Sequence, residues 1–237
     1  MKEQFRFRET VATIVSDEEY IPLIRKGLFE ARDIIESKIN DDPFFGITYD
    51  PYPVSPKDDP LIQRMCNASA LALVGPMAGV AGAVAVYGVE AALGAGAEEA
   101  IVENGGDIAF LSDRHVPVGV YADHPVFKDV AFDMHNEGIT GVCSSSAKIG
   151  PSVSFGRSDV CTVFSDDVIL ADCCATALGN KVTGEDVVEE ALESIAAIEG
   201  VRGCMAVCGD RVAVCGDVPE LIPANVAPDT VWSSTNV

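Results

Sequence analysis

The segment Ala100-Ile101-Val102-Glu103-Asn104-Gly105-Gly106-Asp107-Ile108 is an apolar run that breaks at paired glycines, meets an acid and then resumes. The chain must turn tightly there, and two adjacent residues without a Cβ also let the backbone approach a ligand closely. Roughly sixty-five residues on comes Leu170-Ala171-Asp172-Cys173-Cys174-Ala175-Thr176-Ala177-Leu178, where Asp172 and Thr176 share one face of a helix. An acid and a hydroxyl at that spacing can give two oxygens to one hard cation. Together the segments suggest a phosphate-bearing ligand held partly through a metal. The alternative is an Asp near a helix start and a Thr that faces inward.

The rest of the chain alternates helices and short strands. Phe5 to Val15 reads as a strand, and Glu18 to Ile39 carries Ile21, Ile24, Leu28, Ala31, Ile35 and Ile39 at helical spacing. Residues 41–60 hold Pro43, Pro51, Pro53, Pro56 and Pro60 and read as a surface loop. Two helices are predicted over Leu61 to Leu73 and Pro76 to Leu93, ending at Gly94 and Gly96. Strands are predicted near Glu99–Glu103, Ile108–Leu111, Val116–Tyr121, Val130–His135, Gly138–Cys143 and Val160–Phe164. Helices follow over Asp166–Asn180 and Glu185–Ile198, and no period is evident in the last twenty or so residues. Short strands with frequent turns make the fold class α+β, with helices packed against a mostly antiparallel sheet.

A chain of 237 residues with 48% apolar content can bury a sizeable core, as one domain over 1–237 or as two interleaved halves. Its formal charge of -21 opposes binding to nucleic acid or to an anionic membrane surface. The N-terminus from Met1 to Glu9 alternates apolar and charged residues and reads as a strand with no hydrophobic secretion segment behind it, so a cytoplasmic location is expected. The apolar stretch from Ala68 to Leu93 is built of Ala and Gly and is broken at Gly75-Pro76, which suits a buried, closely packed helix better than a membrane span. Such a helix also suits subunit packing, and hence a homo-oligomer.

Eight cysteines without a signal peptide point to thiols rather than disulfides. Gly209-Asp210 is a two-residue hairpin turn by its flanks, and counting outward pairs Cys208 with Arg211 and Cys204 with Cys215, all three thiols on one face. Small buried hydrophobes are the favoured reading of these thiols. Around Cys143, Ser144, Ser145 and Ser146 the only nearby cations are Lys148 and Arg157, which reads either as a site for a small anionic ligand or as an ordinary serine-rich loop.

The order of these pieces resembles a known family. A Gly/Ala-rich helix, a strand ending in Asn104-Gly105-Gly106-Asp107, a small-residue turn and then Ala171-Asp172-x-x-Ala175-Thr176-Ala177-Leu178 is similar to the FAD:protein FMN transferases called ApbE, over about Gly75 to Val182. The segments 141–146 and 152–159 look closer to a non-exported branch related to those enzymes, to which the resemblance itself assigns no activity. It implies an ApbE-like, T-fold-related architecture. It also implies Mg2+ on Asp172, Thr176 and a carbonyl near Gly79, FAD as the nucleotide ligand, and a pocket shaped by Glu103, Asn104, Gly105, Gly106 and Asp107 beside Cys143, Ser144 and Ser145. If the chain is an enzyme, the resemblance implies a magnesium-dependent transferase that cleaves the FAD pyrophosphate.

Two departures accompany the match. The transferase helix carries a Lys-Gly pair where this chain has Val80-Ala81-Gly82-Ala83-Val84, and a Ser-His-Ile-x-x-Pro segment is replaced by Ser152-Val153-Ser154-Phe155-Gly156. Two other functions therefore stay open: a flavin or nucleotide binder without turnover, and a cysteine-dependent accessory protein in sulfide assimilation, with Cys143 as its most reactive thiol.

Overall fold

The computed structural model describes residues 1–7, 10–119, 130–146 and 156–224. Among these, the chain forms a nine-stranded sheet and five α-helices. Strands β1 (Lys2–Phe7), β2 (Thr10–Ser16), β3 (Glu99–Asn104), β4 (Asp107–Val118), β5 (Val130–Ser145), β6 (Val160–Ser165), β7 (Val201–Cys208) and β8 (Arg211–Gly216) lie side by side in chain order. Every neighbouring pair is antiparallel, and a short β9 (Leu221–Pro223) adds to β5. Helices α1 (Ile21–Asp41), α2 (Pro60–Ala72) and α3 (Val80–Gly94) connect β2 to β3, while α4 (Val168–Lys181) and α5 (Val188–Ala196) connect β6 to β7.

Local chemistry sets the helix ends. In α1, Ile21, Ile24, Leu28, Ala31 and Ile35 are buried at the predicted spacing, each large one stabilising the fold by about 1.5–3 kcal/mol. The proline-rich loop ends where the Asp59 side chain accepts from Leu61 N–H and Pro60 opens α2. Leu73, at φ 58°, closes that helix in the left-handed region without a glycine. Asp167 likewise caps α4 by accepting from the N–H groups of Ile169 and Leu170.

Several predicted boundaries change. Phe5 to Val15 is a hairpin of two strands rather than one, with Phe5 opposite Ala12. The four short strands expected between Ile108 and Cys143 are two long ones, β4 and β5, whose register shifts between Phe110 and Ser112 and again before Val116. Irregularities of this kind break the apolar alternation without ending the strand. Residues 76–79 and 185–187 form separate 3-10 turns ahead of α3 and α5. The cysteine hairpin pairs as predicted, Cys208 with Arg211 and Cys204 with Cys215.

One sheet face carries the helices. Its small residues, Ala12, Ala100, Ala109 and Gly141, admit close approach: a Cβ on Gly141 would stand 2.7 Å from Val168 Cα. The other face has its own apolar cluster of Phe110, Phe132, Met134, Val142, Phe164, Met205 and Val207. Phe132 and Phe164 meet edge to face at 5.0 Å between ring centroids. Yet the ladder partner of Phe164 is Val142, which a straight strand would hold roughly 33 Å from Phe132 at about 3.3 Å per residue. Strand β5 therefore bends back, and its first half folds with the end of β4 and with β9 over this second face.

The span Pro76–Gly94 is apolar and long enough to cross a membrane by length and composition alone. In the fold it is a 3-10 turn and α3, packed between α1, α4 and β3, with Ala83, Ala85, Val86, Val89 and Ala92 buried.

Candidate functional site

The turn at Gly105-Gly106 joins β3 to β4, with φ of 70° and 105° at the two glycines. An L side chain is strained there, which is why glycine occupies both places. Period two then sorts the neighbours. Asn104 and Asp107, opposite each other across the turn, face the helices and are buried. Glu103 points to the other face and curls back, its Oε1 accepting from Gly106 N–H at 3.1 Å. Burial raises the Glu103 pKa against the opposing pull of the Gly106, Thr13 and Gly105 hydrogen bonds. Glu103 thus braces the turn instead of lining the space between sheet and helices.

Helix α3 starts directly behind this turn. Its N-cap is Gly79, which offers no side-chain acceptor, so the first amide N–H groups need an outside partner. Asp172, on α4, supplies it: Oδ2 accepts from Gly82 N–H at 2.8 Å, and the carboxylate also takes a backbone hydrogen bond from Ala81. Asn104 Nδ2 donates to the Ala81 carbonyl at 3.1 Å. The first turn of α3 is held from the sheet by Asn104 and from α4 by Asp172.

Asp107 faces Asp172 within this layer. Its Oδ1 is buried and has no hydrogen-bond partner. Burial, then the Asp172 charge, pushes the Asp107 pKa well up, against opposing interactions with Cys143 and the Ser144 backbone. Burial likewise lifts Asp172 to about 7, opposed by the Gly82 and Ala81 amides. Two acids that cannot both ionise cheaply share a proton unless a cation joins them.

The other predicted residues divide between this layer and places away from it. Cys143 is the cross-strand partner of Asp107, fully buried, its Sγ donating to the Val168 carbonyl at 3.6 Å. Burial, then Asp107 and Asp172, raises its pKa well above that of a free thiol. The reactive thiol expected at Cys143 therefore meets the opposite surroundings, a buried position beside two acids. Ser145 shares the face of Cys143, while Ser144 points away and its hydroxyl meets that of Thr162 at 2.9 Å. Thr176, one turn beyond Asp172, is half-buried. A Cβ on Gly79 would stand 2.8 Å from Ile169 Cγ2 and from Cys173 Sγ. Gly82, three residues on, is the glycine in contact with Asp172, where a Cβ would stand 3.0 Å from Asp172 Cβ. Lys148 lies outside the described residues. The Arg157 backbone bonds Val182 beyond the far end of α4, roughly 15 Å from Asp172 at 1.5 Å per helical residue.

What sequence reasoning missed is the role of Ala81 and Gly82, whose signal was the glycine in an otherwise alanine- and valine-rich helix start. A cavity of about 620 Å3 lies elsewhere, between β1 and α1, lined by Met1, Glu3, Ile21, Arg25 and Phe29.

Among the described residues, no group of three or more His, Cys, Asp or Glu side chains converges as a metal cage would. Magnesium does not require one. It takes one or two carboxylates and keeps several waters. The unpartnered Asp107 Oδ1, the Asp172 carboxylate and the Thr176 hydroxyl are oxygen donors of the kind it accepts.

A family model described as "AbpE bacteria" matches residues 10–214. A UPF0280 protein of Methanothrix thermoacetophila is 45% identical over 235 residues, covering 98% of each chain. The chain belongs to the UPF0280 family. Another UPF0280 protein, from Methanoculleus marisnigri, is 45% identical over 95% of this chain and 93% of its own. Among solved structures, a mutant of the flavin transferase ApbE from Vibrio cholerae aligns with TM-score 0.60 at 13% identity, over 91% of this chain and 96% of that one. The apo flavinyl transferase ApbE of Pseudomonas stutzeri aligns with TM-score 0.54 at 12% identity, over 91% and 94%. This UPF0280 chain thus has the ApbE fold: an antiparallel sheet packed with helices, and a relationship to flavin transferases at the level of architecture.

Proposed function

We propose that this protein binds a flavin nucleotide, FAD in the first instance, through a divalent cation held by Asp107, Asp172 and Thr176, as a divergent cytoplasmic relative of the FMN transferases. The observation that carries this reading is the buried, unpartnered Asp107 Oδ1 set against the Asp172 carboxyl. A cation there would relieve the mutual destabilisation of the two acids. When bound, it supplies a Lewis acid for pyrophosphate oxygens. The chain's own residues do the positioning: Asn104 and Asp172 hold the start of α3, and Gly105 and Gly106 leave the backbone bare for close approach.

The missing lysine and histidine favour a second reading, binding without turnover. Calorimetric titration of the purified protein with FAD, with and without Mg2+, followed by chromatography for AMP, separates the two. Magnesium-dependent binding with AMP release supports the transferase; binding with FAD intact supports a carrier or sensor. No binding under either condition removes the flavin reading.

A further inference from the structure

On the outer surface of the folded-back hairpin, eight positions beyond Asp107 on β4 and well along β5, two of the three histidines of the chain lie against each other. The His115 and His135 rings have centroids 4.2 Å apart with planes 33° from parallel. Strands β4 and β5 bring them together: Val116 is opposite Met134 and Pro117 opposite Asp133, so His115 and His135 project from neighbouring positions on one face. The inward side chains here, Val116, Phe132 and Met134, belong to the apolar cluster below. His115 has 64% of its side chain exposed.

His115 Nδ1 lies 2.8 Å from Asp133 Oδ2. An ionised carboxylate can only accept, so Nδ1 carries the proton and the Nε2 of a neutral ring keeps its lone pair. A histidine held by a carboxylate in this way is the arrangement that orients and strengthens a metal-binding imidazole. Arg114, the neighbouring cation, is engaged by Glu99 at 2.7 Å, and a chain of net charge -21 attracts cations generally.

We propose that His115 and His135 form a surface site for a late first-row divalent metal such as zinc, with Asp133 as the positioning residue and water completing the coordination. Imidazole donors suit zinc, copper and nickel rather than magnesium, so this site is chemically separate from the acid pair. Two imidazoles on one tetrahedral ion hold their ring centres about 5 Å apart, given a metal–nitrogen distance near 2.1 Å. From 4.2 Å, the exposed rings must separate by about 1 Å and turn so that one nitrogen of each points at the ion.

The test is calorimetric titration with Zn2+ of protein held in excess Mg2+, which keeps the acid pair occupied. One ion should bind per chain, and His115→Ala and His135→Ala should each abolish it with unchanged far-ultraviolet circular dichroism. Asp133→Asn should weaken binding about 10-fold to 100-fold, while Asp107→Asn should leave it intact. Undiminished zinc binding by the His115→Ala/His135→Ala double variant, or no binding by the unaltered protein, would overturn the proposal.

Discussion

Asp172 on α4 accepts a hydrogen bond from Gly82 N–H at the start of α3, a 2.8 Å contact across ninety positions of sequence. It caps a helix from outside, because the residue at the N-cap is glycine. Asp172→Ala should therefore leave buried N–H groups unpaired and destabilise the protein by about 1–3 kcal/mol. Asp172→Asn, which keeps an acceptor, should lose less, and urea unfolding of the two variants compares them directly.

The same carboxyl gives stability a pH dependence of known sign. Its folded pKa is raised to about 7 from an ordinary 3.8. The folded state then binds the proton more tightly, so this contribution is full below the ordinary value and is lost as pH rises through about 7. Urea midpoints from pH 4 to 8 should show the unaltered protein declining relative to Asp172→Asn; parallel curves would contradict it. If a divalent cation binds the pair, Mg2+ should raise Tm at pH 8 and much less at pH 5, because only the ionised acids are ligands.

Helix α3 approaches α4 through Gly82, where a Cβ would lie 2.9 Å from the Val168 carbonyl oxygen. Gly82→Ala must push backbone against backbone and should cost about 1–3 kcal/mol, beyond any helix-propensity gain. Gly94→Ala is the control, since a Cβ there meets nothing within 4 Å. A neutral Gly82→Ala in thermal unfolding would mean that α3 and α4 can separate without loss.

The thiols divide sharply. Seven of the cysteines are buried and Cys215 alone is half-exposed. Burial pushes Cys161, Cys174 and Cys204 up to about 12. A thiol reagent at pH 8 should modify Cys215 first, with the buried seven reacting only on unfolding. Peptide mapping that found Cys143 modified early in native protein would favour the sulfur-handling reading.

Phe132→Ala should cost about 3–5 kcal/mol, because its ring, opposite Phe164, anchors the folded-back half of β5. A loss much below that, in urea unfolding, would indicate that this layer contributes little to global stability.

Much of this was legible before folding. The spacing of Ile21, Ile24, Leu28, Ala31 and Ile35 marks α1 because burying one stripe is a local property of the residues on it. The Gly105-Gly106 and Gly209-Asp210 turns follow from what two-residue connections demand of the backbone, and the pairing of Cys204 with Cys215 follows from counting outward from a turn. These are short-range constraints, and sequence alone determined them. Cys143, Ser144 and Ser145 do not all share a face for an equally local reason: adjacent residues on a strand point opposite ways, and Ser144 turns from the face of the other two. Tertiary structure decided what depends on contacts between distant segments. Only the folding-back of β5 brings Phe132 to Phe164, and only the packing of α4 on α3 makes Asp172 a cap and sets it beside Asp107. The acidity of that pair comes from lost water and from a second charge brought close, and neither is a property that residues carry in their order along the chain.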